Sequence, residues 1–75
     1  MNLQAFIGKR VKLVDIDGDV FFGLADIYHF DYDTASGTSS LTFLTDAGEY
    51  LDFEETEIAS IECMDVPFRE LAIAV

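Results

Sequence analysis

Apolar and polar residues alternate in five short runs, a pattern typical of β-strands rather than helices. The first run covers residues 9–14, in which Val11 and Leu13 share one face and Lys12 and Val14 share the other. The second and longest run covers residues 20–28. The other predicted strands are residues 41–45, 49–53 and 57–63.

Gly23 interrupts the second predicted strand. A glycine inside a strand is typical of a bulge or a sharp bend, and such a bend lets a small sheet curl onto itself. Along this strand we expect Val20, Phe22 and Leu24 to alternate inward. The side chains predicted to share one core are Val11, Leu13, Phe22, Leu24, Phe43 and Ile61.

Residues 2–8 predict a short N-terminal helix, because Leu3, Phe6 and Ile7 follow the i, i+3, i+4 spacing of one helical face. Asn2 is a candidate N-cap and Gly8 a candidate stop. A helix this short is unstable alone, so we expect its apolar face to pack on the sheet.

Turn residues separate the strands. Asp17–Gly18 is a strong hairpin signal, and residues 46–48 predict a second turn. Residues 54–56 predict one turn of 3₁₀ helix, and residues 29–40 form the longest irregular stretch. Close spacing of short strands predicts a barrel or sandwich.

The chain is long enough for one domain only. We place a small β-barrel over residues 1–64 and an apolar C-terminal tail over residues 65–75. Pro67 is expected to end the strand pattern, and the tail is too apolar to favour water. We therefore expect the tail to dock on its own barrel or on a neighbouring subunit.

Charge restricts the classes of partner. Fifteen acidic residues against four basic ones give a formal net charge of −11. Such a field repels nucleic-acid phosphates and anionic membranes and favours basic partners or cations, so we expect no DNA or membrane partner. Three basic residues, Lys9, Arg10 and Lys12, lie together; they either form a local positive spot or neutralise carboxylates on a solvated strand face.

Cys63 is the sole cysteine, which excludes an intramolecular disulfide and argues against a cysteine zinc site. It lies in an apolar run, so we expect it to be buried as a small hydrophobic residue. No apolar stretch has the length of a membrane span, and residues 1–10 lack a signal-peptide pattern. We expect a cytoplasmic location.

Acidic residues offer weak cation chemistry. Residues 15–19 superficially resemble a calcium loop, but the glycine and glutamate that such a loop needs are replaced by Val20 and Asp26. An acidic hairpin turn is the favoured interpretation. Asp31 and Asp33, with Ser36, either hold a hard cation weakly or belong to a solvated loop.

His29 is the only histidine, and no nucleophile or paired acid accompanies it in a recognisable motif. The chain also lacks a glycine-rich phosphate loop and metal-ligand spacing. We predict no catalytic residue, no cofactor and no metal. Loop aromatics either recognise a partner or plug a barrel end. The candidate partner-binding residues, including those of the tail, are Phe30, Tyr32, Phe68, Leu71, Ile73 and Val75.

Residues 8–13, Gly-Lys-Arg-Val-Lys-Leu, are followed by Asp17–Gly18 and by residues 22–26. Together these segments resemble the first motif of the Sm-like (LSm) family. Residues 57–62 resemble the closing Ile-x-x-Ile of its second motif. The resemblance covers residues 2–64, and related Src-homology-3-like small barrels share the pattern.

The resemblance implies a mainly β fold: a five-stranded, strongly bent antiparallel small barrel with a short N-terminal helix. It also implies self-association into rings, in which the fourth strand of one subunit pairs with the fifth of the next. Many members bind single-stranded RNA. This chain lacks the asparagine of the RNA loop within residues 26–30, and it has Glu54, Glu55 and Glu57 near the position of the nucleotide-binding Arg-Gly.

These observations favour a non-enzymatic, acidic binding and assembly module that acts through protein–protein contacts. We expect a homo-oligomer formed through strand edges. The alternative is an RNA-binding Sm-like protein, in which Lys9, Arg10 and Lys12 contact phosphates, although the overall charge disfavours this.

Overall fold

In a computed structural model, residues 1–64 form one five-stranded antiparallel sheet. The structure describes these residues, and the predicted tail at residues 65–75, including Phe68, Leu71, Ile73 and Val75, lies outside them. All five predicted strands are confirmed. Their bounds are β1 Arg10–Asp15, β2 Val20–His29, β3 Ser40–Thr45, β4 Tyr50–Glu54 and β5 Ile58–Cys63.

The strand order across the sheet is β4-β3-β2-β1-β5. Four consecutive strands form a meander, and β5 returns to pair with β1 on the far side. A 3₁₀ turn over Glu55–Glu57 connects β4 to β5, and the Ile16 N–H donates to the Glu57 carbonyl at 3.0 Å. The sheet is not closed by hydrogen bonds, because β4 and β5 do not pair with each other. The mainly β prediction is confirmed.

The N-terminal helix is a single 3₁₀ turn over Leu3–Phe6. Leu3 is buried in the core. Asn2 occupies the N-cap position, as predicted, but its side chain makes no capping hydrogen bond. A 3₁₀ turn needs only three residues, and this one is held by packing. Gly8, at a φ of 83°, then directs the chain into β1, and its N–H donates to the Ala25 carbonyl at 2.8 Å.

The core lies on one face of the sheet. Its fully buried members include Val11, Leu13 and Phe43, as predicted, and Ile61 packs against them while partly buried. Residues from β5 and from β4 join the same cluster, although these strands lie at opposite ends of the strand order. The complete buried hydrophobic set is Leu3, Val11, Leu13, Ala25, Leu41, Phe43, Phe53 and Ile58.

The predicted orientation of β2 is wrong by one residue. Gly23 lies opposite Val11, and Phe21 lies opposite Leu13, so the odd-numbered residues face the core at this point. Val20, Phe22 and Leu24 therefore point to the opposite face, where Val20 is 49% and Phe22 40% exposed. Both phases of residues 20–25 are apolar, so alternation alone does not decide the face; pairing with β1 does.

Gly23 allows two strands to approach closely. A Cβ atom added at Gly23 would overlap the Leu44 carbonyl oxygen and lie 2.9 Å from the Thr45 Cα. Both atoms belong to backbone, which cannot move aside without distorting β3. The break in β2–β3 register lies further along, between Ala25 and Ile27. Gly23 is thus a site of close strand approach rather than a bulge.

The sheet curls around aromatic side chains. The ring centroids of Phe21 in β2 and Phe53 in β4 lie 5.2 Å apart, although β3 separates these strands. Phe43 and Phe53 pack edge to face at 6.0 Å. Such contacts require the ends of the sheet to fold toward one another.

Cys63 is exposed, so its predicted burial is wrong. It lies opposite Val11 and therefore belongs to the core-facing phase of β5. Within residues 1–64, however, β5 has a neighbouring strand on one side only, so nothing covers the thiol from the other side.

We expect Gly23→Ala to lower the free energy of unfolding by about 2–3 kcal/mol, because the methyl group must displace β3 backbone. Gly48→Ala is the matched control: Gly48 has a φ of 87° and open space around it, so this variant loses only about 1 kcal/mol of stability, through backbone strain. Urea denaturation measures both. Equal losses for the two variants would contradict the close-approach role of Gly23.

Candidate functional site

The open edge of β4 is the first candidate interaction surface. The Thr45 N–H donates to the Glu49 carbonyl, and the Glu55 N–H donates to the Ser39 carbonyl. Along an antiparallel strand, residues whose backbone bonds to the partner strand alternate with residues whose backbone points away from it. Glu49 and Glu55 bond toward β3, so every second residue between them does the same. Tyr50 and Asp52 have the opposite phase, and their N–H and C=O groups point away from the sheet.

One end of this edge is already satisfied. The Glu54 N–H donates to Glu57 Oε1 at 2.9 Å, and the two residues form a reciprocal capping box. The capping box ends the free edge at the start of the 3₁₀ turn. The open part of β4 is therefore short and centred on Tyr50 and Asp52.

The open edge of β5 is the second surface. The Met64 N–H donates to the Arg10 carbonyl at 2.8 Å, and Glu62 lies opposite Lys12 two residues earlier. By the same alternation, Ile61 and Cys63 point their N–H and C=O groups outward. Both ends of the described sheet thus present backbone donors and acceptors with no strand beside them.

A third surface lies on the face of the sheet opposite the core. Cross-strand pairs place Val20 beside Val14, Leu44 beside Leu24, and Tyr50 beside Leu44. Several of these side chains are strongly exposed, with Tyr50 at 64%. We call this surface the outer apolar patch; its members are Val14, Val20, Phe22, Leu24, Leu44 and Tyr50.

The basic cluster is largely occupied by ion pairs. Arg10, the first residue of β1, pairs with Asp46, the residue that directly follows β3, so the ion pair crosses β2, which lies between these two strands. Lys12 lies 3.9 Å from Glu62. Among residues 1–64, Lys9 makes no ion pair within 4.0 Å. The neutralising role considered from sequence therefore describes Arg10 and Lys12.

The loop after β2 carries an aromatic stack. Tyr28 meets Phe30 edge to face at 4.9 Å, and Phe30 stacks on Tyr32 at 5.2 Å with nearly parallel rings. Phe30 is 38% exposed and Tyr32 is 76% exposed, so neither ring fills the end of the barrel. Tyr28 is the member of the stack that packs against the core.

A shallow polar cleft adjoins this loop. It is lined by Met1, Tyr28, Asp31, Gly37, Thr38, Ser39 and Glu55. The Met1 ammonium lies 3.2 Å from Glu55, and the Ser39 hydroxyl donates to the same carboxylate at 3.2 Å. The Met1 ammonium and the Glu55 carboxylate of the cleft thus satisfy each other.

The acidic groups of the first turn serve the turn itself. Oδ1 of Asp15 accepts the N–H groups of Asp17 and Asp19 at 3.0 and 2.9 Å. Carboxylate oxygens of all three residues lie within 4.8 Å of one another. This bonding is typical of aspartate at the start of a turn, and it stabilises the β1–β2 hairpin.

His29 belongs to a polar row across three strands. The Thr42 hydroxyl donates to Asp52 at 2.6 Å, so His29 Nε2, 2.8 Å from the same oxygen, is the donor to Thr42. The hydroxyl proton therefore points to the carboxylate rather than to the imidazole. The row ties β2, β3 and β4 together and does not place His29 as a base for Thr42.

Sequence reasoning missed the outer apolar patch and the polar row. The signal for the patch was present, since residues 20–22 are apolar in both phases and one phase has to face away from the core. The polar row had no such signal, because it joins residues far apart in sequence.

We expect Thr42→Val to lower the free energy of unfolding by about 1 kcal/mol, because it removes two hydrogen bonds while keeping the β-branched shape. Thr42→Ser, which keeps the hydroxyl, is the control and should retain the coupling to Asp52. A double-mutant cycle with Asp52→Ala, which removes the acceptor oxygen, measures that coupling by urea denaturation. If Thr42→Val and Asp52→Ala prove strictly additive, the hydrogen bond between Thr42 and Asp52 contributes nothing to stability.

Comparisons with known proteins do not identify a family. The chain matches no family model, no curated protein and no solved structure. Within residues 1–64, no helix is long and apolar enough to cross a membrane. The resemblance to Sm-like proteins stays a prediction that rests on the residues quoted for it.

Proposed function

We propose that this protein is a non-enzymatic, acidic assembly module of the Sm-like small-barrel type, which self-associates through its strand edges. One observation carries the proposal: within residues 1–64, β4 and β5 each have a neighbouring strand on one side only, and both border the same core. Exposed strand edges are templates for pairing with another chain. Pairing β4 of one copy with β5 of the next satisfies both edges at once.

The two edges have matching hydrogen-bonding capacity. Tyr50 and Asp52 on β4, and Ile61 and Cys63 on β5, each offer one outward N–H and one outward C=O. An antiparallel pairing of the two edges joins these groups. No rearrangement of either subunit is required, since all four residues already have extended backbone.

Packing favours the same pairing. Leu51 and Ile61 contact the core but remain partly exposed at the two ends of the sheet. A neighbouring strand covers such side chains and continues the core from one subunit into the next. Burial of apolar surface, which contributes about 25 cal/mol per Å², adds to the free energy of the backbone hydrogen bonds.

The pairing uses different surfaces on the two partners. An interface of this kind is heterologous, so each copy keeps one free edge until a ring closes. This property agrees with the ring assembly implied by the Sm-like resemblance. Protein–protein contact, with a second copy as the first partner, is the activity that we propose.

Phosphate binding is disfavoured by the ion pairs of Arg10 and Lys12. An RNA backbone has to displace Asp46 and Glu62 to reach these cations, against a net charge of −11. RNA binding by Lys9, Arg10 and Lys12 is therefore the lesser candidate. Micromolar binding of uridine-rich oligomers that weakens with salt would reverse this order.

We expect Cys63→Pro to weaken self-association by about tenfold or more, because proline removes an outward N–H. The β1 ladder is unaffected, since Cys63 does not bond inward to Val11. Cys63→Val, which keeps the N–H, is the matched control and should assemble like the parent chain. Sedimentation velocity measures the assembly state, and urea denaturation checks that both variants fold.

A parent chain that sediments as a monomer at hundreds of micromolar would refute the assembly proposal. Equal association of Cys63→Pro and Cys63→Val would exclude the β5 edge as the interface.

We also expect self-association to strengthen as salt rises from low to physiological concentration. Two copies with a net charge of −11 repel each other, and at 0.15 M salt screening acts beyond about 8 Å. Light scattering across a salt series measures this dependence, with an uncharged osmolyte at matched osmolality as the control. Dissociation by added salt would indicate that ion pairs, not strand pairing, hold the copies together.

A further inference from the structure

Strand pairing at the edges of the sheet leaves the outer apolar patch exposed to water. Phe22 and Leu24 lie on β2, the third strand in an order of five, so a copy added at either edge leaves them exposed. Contiguous exposed apolar surface marks an interaction site. Cross-strand pairing joins Leu24, Leu44 and Tyr50 into one continuous row.

The chain itself holds a segment suited to this patch. Residues 66–75 read Val-Pro-Phe-Arg-Glu-Leu-Ala-Ile-Ala-Val, and the charges of their only ionised side chains, Arg69 and Glu70, cancel. A neutral apolar segment approaches an acidic domain without charge repulsion. A second copy of the whole chain, by contrast, brings a charge of −11.

The segment leaves the sheet at a point from which it can reach the outer apolar patch. The Met64 N–H donates to the Arg10 carbonyl, and Arg10 lies opposite Leu24. Met64 therefore lies at one end of the cross-strand row that continues from Leu24 through Leu44 to Tyr50. Neighbouring strands are about 4.8 Å apart, which places Leu24 roughly 10 Å and Tyr50 roughly 19 Å from Met64 along the sheet. Ten extended residues span up to about 33 Å, so the segment reaches the whole patch.

We propose that residues 66–75 lie across the outer apolar patch of their own chain and shield it from water. With the segment docked, the two faces of the sheet have different roles. The core face holds the fold together, and the outer face holds the C-terminal segment, which leaves the strand edges free for other chains.

Hydroxyl-radical footprinting of the full chain tests this proposal with a control built into the molecule. Phe22 on the patch and Phe30 on the loop are 40% and 38% exposed in residues 1–64, so without a cover they oxidise at similar rates. If the segment buries Phe22 as deeply as Phe53, which is 8% exposed, the Phe22 rate falls about fivefold (40/8) relative to Phe30.

Tyr50 and Tyr32, at 64% and 76% exposure, form a second matched pair. Protection of Tyr50 alone would implicate pairing at the β4 edge and would overturn the docking proposal. Protection of Phe22 and Tyr50 together, unchanged on dilution to the monomer, is the expected result. Protection that disappears on dilution would overturn the proposal, because a second copy would then be the cover.

A variant of the segment completes the test. Leu71→Asp with Ile73→Asp should restore the Phe22 rate to that of Phe30, because two carboxylates oppose burial on an apolar surface. Arg69→Gln, a control in the same segment, should keep Phe22 protected. Equal rates for Phe22 and Phe30 in the unmodified chain would also refute the proposal.

Discussion

The close approach of β3 to Gly23 is the constraint on which the rest of this structure depends. No side chain fits between Gly23 and the Leu44–Thr45 backbone. Glycine is therefore the residue type that allows β2 and β3 to approach this closely on the core face. The fold that results brings Phe53 of β4 against Phe21 of β2. A sheet of five strands thereby encloses a core within 64 described residues.

Curling also determines where the sheet stops. The meander carries β4 toward β5 but leaves them unpaired, and the 3₁₀ turn between them returns the chain to β1. Both free edges consequently border one core. Unpaired strand edges favour assembly, whereas the net negative charge opposes it. We therefore expect the proposed self-association to depend on ionic strength.

In an antiparallel sheet with one face in water, the solvent-facing side is usually polar. Here both faces carry many apolar side chains. The core face is buried, whereas the outer face carries six partly or strongly exposed apolar side chains in a continuous patch. Ion pairs and a polar row border that patch, with Arg10 and Asp46 on one side and His29, Thr42 and Asp52 on another. Arg10, a candidate for nucleic-acid contact, is thus part of the border of an apolar surface.

The amino-acid sequence by itself determined the number of strands, their bounds to within about a residue or two, and the turns, because alternation and turn residues act locally. It also determined that Val11, Leu13 and Phe43 form the core, since only one phase of β1 and β3 is fully apolar there. The sequence did not determine which face of β2 is buried, because residues 20–22 are apolar in both phases. The pairing of Gly23 with Val11 determines that the odd-numbered residues face the core. Cys63 is the same kind of case, because its exposure follows from the absence of a strand beside β5 in residues 1–64, and only tertiary structure decides which strands are neighbours.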